Sequence, residues 1–583
     1  MQSESFIPVC PLTELVDKQM VVVTGPDRPI AVIAHDGQLV AVDNRCPHMG
    51  FPLHTGSIQD GILTCHWHEA RFDICNGCTF DLWADDVASF PTEVRDDMVY
   101  VGTTPRQVPD AAYHWQRLRH GLEHGIGLIQ AKAILGLRRL GVDWLDLVAD
   151  IANFGAAAHD DWGEGMTSLA AVANLVGDLN ERTAFFAVLR ASRQLGSDCL
   201  RAVPRRRGQP LSDSQHSPER LRRWLRDWVT CRHRDGTERV LLTAVQILDD
   251  RRELADLVAD AAAHRVYARG GHVLDACNKS LELLEQIGWD GAPNVLPLVL
   301  SGLISARGAE EDAHWHHPVE LIEPLAEAER MIPQWLESDR DPSWDGTAGL
   351  RSILLGDDPL AIVSALGDAI QDGAPLPVLS REIAYVAGLR LAQFATSNEV
   401  RDWFNPRHTF IFANAVHQFL KRSVSPATTR SLFHAALSVY MDRFLNIPAA
   451  RLPTADDLQD LPQSGQALRE MLLEALDRQS SVDLAGRIVA AHLSCDEDTA
   501  ALFDTLALAT VREDFDFHAL QVLEAGWQQF AEWDLSAERA HIVIGVARQL
   551  AAFCPTPRAG FQTAKIARRL DRGDRIYEEQ AAQ

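Results

Sequence analysis

The chain has 583 residues, 46% of them hydrophobic, and a formal net charge of −26. A length of this order accommodates about three to five domain-sized units, and the acidic balance argues against a phosphate-binding surface and so against nucleic acid as a partner. The opening MQSESFIPVCPLTELVD has no basic start leading into an apolar run, and no stretch of about 18 uncharged apolar residues follows, so neither a signal peptide nor a membrane span is expected. Five of the ten cysteines fall at Cys10, Cys46, Cys65, Cys75 and Cys78, and the rest are scattered at Cys199, Cys231, Cys277, Cys495 and Cys554. This is not a disulfide framework and fits a reducing cytoplasm.

Residues 1–102 read as β. Val21–Thr24, Ile30–Ala34 and Leu39–Val42 are short runs rich in Val and Ile, with Asp36-Gly37 as a hairpin turn between two of them. Gly61–Thr64, Phe72–Ile74 and Met98–Val101 are further strand candidates. Together they predict a small sandwich or barrel. Residues 103–112, TTPRQVPDAA, read as a linker. From residue 113 to 583 apolar residues recur three and four apart, as in the stripe Leu128, Ala131 and Leu135, which predicts an all-α region. The polar stretches Pro204–Pro218 and Pro453–Ser464 read as surface loops, and Arg205-Arg206-Arg207 as a solvated part of the first.

The helical part carries a weak internal similarity. Segments begin at His272, His408 and His518, and two of them reach an Asn six residues on, at Asn278 and Asn414. A fourth, Ser168 to Asn174, keeps the Asn and has Ser in place of His. Such a pattern suggests stacked helical hairpins in a solenoid or ring; chance similarity among amphipathic helices is the alternative.

The strongest chemical signal is Cys46-Pro47-His48, then sixteen residues, then Cys65-His66-Trp67-His68. Two Cys and two His also suit zinc, but zinc fingers pair Cys with Cys and His with His at short spacing, whereas each half-site here mixes one of each on a β background. The pattern C-x-H-x16-C-x2-H resembles the Rieske motif, over roughly residues 5–102. The resemblance implies one [2Fe–2S] cluster per chain, with Cys46 and Cys65 on one iron and His48 and His68 on the outer one. His66 is not in a ligand position, and Trp67 would shield the cluster from water. Respiratory Rieske proteins carry an extra Cys in each loop and nearby hydroxyl groups. Here the matching positions hold Phe51 and Trp67, which is similar to Rieske ferredoxins and to the Rieske domains of ring-hydroxylating oxygenases and implies a potential below the respiratory type. The Cys75-x2-Cys78 pair has no second pair beside it, and Gly77 marks a turn there.

The D-x2-H-x4-H arrangement of the ring-hydroxylating oxygenases does not follow the motif, and neither a G-x-G-x-x-G after a strand nor a Walker loop occurs. Electrons are therefore expected from a separate reductase or ferredoxin. Glu310-Glu311-Asp312-Ala313-His314-Trp315-His316-His317 is the densest metal-capable run, but Pro318 ends any helix there; His159-Asp160-Asp161 reads as a polar loop. If the repeats pack about one axis, His272, His408 and His518 would converge on a cavity able to bind a small organic substrate or a second metal, and they are the candidate catalytic residues; capping within separate hairpins is the alternative. His518–Gly526 and Phe561–Ala567 also resemble, weakly, helical proteins named after questin oxidase, which are linked to oxygenation of aromatic polyketides. No catalytic residue is carried over on that resemblance.

Two functions fit. One is a cytoplasmic oxidoreductase, oxygenase-like, in which Rieske electrons reach a helical substrate or second-metal domain. The other is an electron carrier or redox sensor whose helical region is a docking scaffold.

Overall fold

The computed structural model describes residues 5–200, 202, 205, 207–212, 216–311, 320–495, 498–534, 536–574 and 577. A small β domain leads, and the rest of the chain is helical. Among the described residues, ten strands form three antiparallel sheets: β1 (Phe6–Pro11), β10 (Met98–Gly102) and β9 (Thr92–Arg95) in the order 1-10-9; β2 (Met20–Thr24), β3 (Pro29–His35), β4 (Gln38–Asp43) and β8 (Ser89–Phe90) in the order 2-3-4-8; and β5 (Ser57–Gln59), β6 (Ile62–Thr64) and β7 (Arg71–Asp73) in the order 5-6-7. Asp36 and Gly37 turn β3 into β4 with φ of 49° and 76°, the left-handed pair that a two-residue hairpin requires. Ile33, Val40, Val42, Leu63 and Phe72 are buried together in the core on which the two motif loops rest.

Contacts divide the chain into two compact units, Met1–Asp143 with Ala559–Gln583, and Trp144–Arg558. Of the expected segments 1–102, 103–112 and 113–583, the first ends where β10 ends. A helix begins at Ala111, inside the stretch read as linker, where the Asp110 side chain accepts from the Tyr113 N–H. It packs against the helix Gly127–Arg139, in which Leu128 and Ala131 are buried, and that helix packs in turn on Ala559–Asp571. The change in composition marks where β structure stops; packing continues past it.

In the second unit four helices close a ring. Glu164–Leu175 and Phe404–Arg422 each pack against both His272–Ile287 and His518–Ala531. These are the helices that carry the four similar segments. Further helices surround them: Leu376–Ala392 covers Phe404–Arg422, Glu181–Cys199 covers Glu164–Leu175, and Ala537–Phe553 packs on His518–Ala531. The inner helices are buried nearly all round, with polar as well as apolar side chains inside. Among the described residues, no helix is long and apolar enough to cross a membrane.

The loop containing Arg205 departs from the solvated reading. The Arg205 side chain is 2% exposed and pairs with Glu238 at 3.0 Å, while also donating to the Asn294 carbonyl. A buried guanidinium needs such partners. Arg206 lies outside the described residues, and Arg207 is exposed.

Candidate functional site

Two loops of the β domain are built alike. In the first, Gly50 N–H donates to the Cys46 carbonyl at 2.7 Å, and Cys46 N–H donates to Phe51 O at 2.8 Å. In the second, Glu69 N–H donates to the Cys65 carbonyl at 2.9 Å, and Cys65 N–H donates to Ala70 O at 2.8 Å. Each loop closes on a left-handed residue, Gly50 at φ 85° and Glu69 at φ 61°. Both cysteines are 1% exposed and within hydrogen-bonding reach of each other. The imidazoles of His48 and His68 sit together on the outer side, 4.7 Å apart at 87°, with His68 exposed. The buried Nδ1 of His48 has no hydrogen-bond partner, a nitrogen lone pair with nothing in the protein to satisfy it.

The electrostatics follow from this pairing. The Cys46 thiol donates to Cys65, which raises Cys46 and holds Cys65 down at about 6, helped by the N–H groups of Trp67 and His68. Burial, and then His68, push His48 down to about 4, so its imidazole is neutral near pH 7. Two buried sulfurs, one already inclined to thiolate, and two imidazoles on the outer side fit a [2Fe–2S] cluster of mixed ligation.

Supports around the loops come from distant sequence. Lys132 Nζ donates to the Pro47 carbonyl, between the two residues of the first half-site, and to Asp85 Oδ2 at 3.0 Å. Arg117 pairs with the same carboxylate at 2.9 Å. Burial would raise Asp85, but Lys132 and Arg117 outweigh it and hold it low. Trp83 packs edge-on to His48 at 4.6 Å. Trp67 lies over His68 at 4.6 Å and stays 42% exposed; Tyr577 closes on Trp67 at 4.6 Å. His66 is exposed. Cys75 and Cys78 are free, exposed thiols on a turn where Gly77, at φ 81°, donates to Asp73 O and accepts from Val87 N–H. A Cβ on Gly77 would stand 1.9 Å from the Val87 carbonyl oxygen, which explains the glycine.

The Rieske [2Fe-2S] domain family matches residues 5–91. The ferredoxin component of the alkene monooxygenase system of Xanthobacter autotrophicus is 31% identical over 101 residues, 17% of this chain and 83% of that protein. The chain belongs to the Rieske family. A second Rieske relative, the ferredoxin component of the naphthalene 1,2-dioxygenase system of Pseudomonas aeruginosa, is 28% identical over 100 residues, 17% of this chain and 96% of that protein. The vanillate O-demethylase oxygenase subunit of a Pseudomonas species is 44% identical over 54 residues, but only 16% of its length is covered. Among solved structures, a complex of reduced oxygenase and oxidized ferredoxin in carbazole 1,9a-dioxygenase aligns with 18% of this chain and 100% of its own at 21% identity and a TM-score of 0.17. The Rieske domain of this chain binds one [2Fe–2S] cluster, and its relatives serve oxygenase systems.

A second constellation lies in the helical unit. His272 and His518 open their helices, and His408 sits one turn inside the helix that starts at Phe404. Their ligand nitrogens all lie within 4.8 Å of one another. Nε2 of His408 and His518 are 2.9 Å apart, and Nε2 of His518 and His272 3.5 Å. Burial first, and crowding by neighbouring imidazoles second, push His272 down to about 4 and His408 to about 2. Burial also lowers His518, against the pull of Asp516.

Further along the ring interior is a polar network that sequence reading missed. Lys279, 1% exposed, donates to Glu282 at 2.7 Å and Glu524 at 2.5 Å. Asn174 donates to the same two carboxylates at 3.1 and 2.9 Å. Burial raises Glu524 to about 7, whereas Lys279 and Arg422 hold Glu282 low despite burial. Asn174 and Asn414, singled out by the repeat pattern, and Glu524 at the corresponding place, all join this network: Asn414 donates to Gln528 at 2.7 Å, and Gln528 to Glu282 at 3.3 Å. Of the other candidates, Asp312–His317 lie outside the described residues. His159 folds back on its own loop, with Nδ1 2.8 Å from Asp161 O.

Proposed function

We propose that this chain is an oxidoreductase in which the Rieske unit carries single electrons from a separate reductase or ferredoxin to an acceptor held in the helical unit, where a small organic molecule is oxidised with dioxygen. The observation that carries this reading is the outward edge of the motif: two sulfurs buried, His68 exposed, and His48 beside it. The cluster, when bound, supplies one-electron oxidation and reduction. The chain's own residues do the rest. The loops orient the four ligands, Lys132 and Arg117 neutralise Asp85 beneath them, and Trp67 and Trp83 flank the imidazoles. Inserting one oxygen atom of dioxygen into a C–H bond and releasing the other as water takes two electrons and two protons. A one-electron carrier must therefore deliver twice per turnover.

The ferredoxin relatives support the carrier role, and the vanillate O-demethylase subunit is a second case in which a Rieske segment forms a minor part of a longer oxidoreductase chain. The helical ring supports an internal acceptor because its interior holds titratable groups at a density that packing alone does not require. The competing reading, a carrier whose helical unit is a docking scaffold, differs in electron count. Anaerobic titration with dithionite, followed by electron paramagnetic resonance, should consume more than one electron per chain once the Rieske signal is complete. Uptake of a single electron would assign the chain to the carrier class.

A further inference from the structure

We propose that His272, His408 and His518 hold one divalent first-row transition-metal ion through their ring nitrogens, with coordination positions left open for solvent or substrate. This inference does not rest on electron delivery to the helical unit.

The spacing is that of ligands. Imidazole nitrogens bind such metals at about 2.0–2.1 Å, so two nitrogens on one ion stand about 2.9 Å apart at a right angle and about 3.4 Å apart at the tetrahedral angle. The two Nε2 separations are 2.9 and 3.5 Å, and all three ligand nitrogens fall within 4.8 Å. Protons satisfy such a cluster poorly. One N–H between two neutral imidazoles leaves the third nitrogen competing for a lone pair already used, whereas a cation accepts all three. A set of three neutral nitrogens suits Zn, Cu, Fe or Ni better than Mg or Ca.

The surroundings hold the rings in place. Asp516 Oδ1 lies 3.4 Å and Arg407 Nη2 3.3 Å from His518 Nδ1, neighbours that hold that side of the ring and leave Nε2 facing the other imidazoles. Arg407 Nη2 in turn donates to Asp516 Oδ2 at 2.6 Å. Arg190 anchors the loop by donating to the carbonyls of Glu513 and Phe515. His272 is presented by a strained segment: Tyr267, Arg269, Gly270 and Gly271 all have left-handed backbones, at φ 46°, 50°, 65° and 88°, a cost that tends to collect at functional sites. A Cβ at Gly271 would lie 2.8 Å from the Phe412 ring, so no other residue fits there without displacement. Phe517 and Phe404 pack on the imidazoles and give the site apolar walls. The fourth helix of the ring carries Ser168 at the position matching the histidines, and its hydroxyl is engaged by Gln194. Three of the four helices thus offer a ligand, and the fourth does not.

The test uses the full-length protein with its Rieske cluster intact. Elemental analysis is expected to give the two cluster irons plus one further metal per chain. After mild chelation that spares the Rieske signal, Co²⁺ alone should rebind at one equivalent, read as visible d–d bands in a difference spectrum. His408→Ala should abolish that equivalent, and Asp516→Asn should weaken it about 10–100-fold, both with an unchanged Rieske spectrum and unchanged helical circular dichroism. If His408→Ala does not fold, His272→Asn serves in its place. Folded wild-type protein that binds no metal beyond two irons, or variants that bind Co²⁺ as wild type does, would overturn the proposal. One bound metal with an uptake of only one electron would keep the site and discard the internal electron acceptor.

Discussion

The ammonium group of Lys132 donates to the carbonyl of Pro47, the residue that separates Cys46 from His48. A helix outside the β sheets thereby places a cation against the first motif loop, with Asp85 at 3.0 Å. Reduction adds negative charge to the site, which a nearby cation stabilises. Lys132→Met keeps an unbranched apolar stem one atom shorter and removes the charge. The reduction potential should fall by on the order of tens of millivolts, measured by a redox titration monitored by electron paramagnetic resonance. A potential that stays the same or rises would show that the Lys132 charge is not felt at the site, because Asp85 freed of one partner adds negative charge and pushes the potential the same way.

The buried network of the ring gives a pH dependence with a definite sign. Glu524 is raised from an ordinary 4.5 to about 7 by burial. Between those values the folded chain holds a proton that the unfolded chain releases, so stability should decline as pH rises from about 4.5 to 7 and level off above. Glu524→Gln retains an acceptor for Lys279 and Asn174 and removes the titration. The helical melting transition of the variant should vary less over that interval than the wild type's, as followed by circular dichroism at several pH values. An identical slope in both proteins would place the titration elsewhere.

The helix Ala559–Asp571 is grouped with the β domain, where it packs on Gly127–Arg139, pairs Asp571 with Arg139, and is followed by Tyr577 against Trp67 and Phe51. Removing residues 559–583 uncovers that packing. The melting of the iron–sulfur unit should drop by roughly 5–10 °C, and its visible absorbance should bleach sooner in air. A truncated protein whose Rieske spectrum and melting match the full chain would show that this helix contributes nothing to the unit.

What could be read in advance depended on how local each signal is. Cys46, His48, Cys65 and His68 stand out because each half-site is a tight loop whose ligands are neighbours in sequence. Six strands were visible for the same reason; β1, β5, β8 and β9 were not, since the first includes two prolines and the others are short, polar or both. The spacing of His272, His408 and His518 could be noticed, but their approach depended on packing that no local rule supplies. Lys279, Glu282 and Glu524 drew no notice as a group, since charged residues on helices usually face water, and only the closed ring makes them interior. Asp516, Lys132 and Tyr577 act on residues far away in sequence, and nothing near them announces a partner. The end of the β structure at Gly102 could be read from composition, whereas the helices that share a core with it could not, because only contacts report them.

Because one compact unit is made of residues 1–143 and 559–583 and the other of everything between, protein synthesis meets an ordering problem. Cys46, His48, Cys65 and His68 leave the ribosome early, then the whole of the helical unit, and only afterwards the segment that packs beside Trp67. Iron delivered to a nascent chain would find the ligand loops present but their neighbouring wall missing. A chain halted before residue 559 therefore carries both motif loops without the stretch that packs beside them.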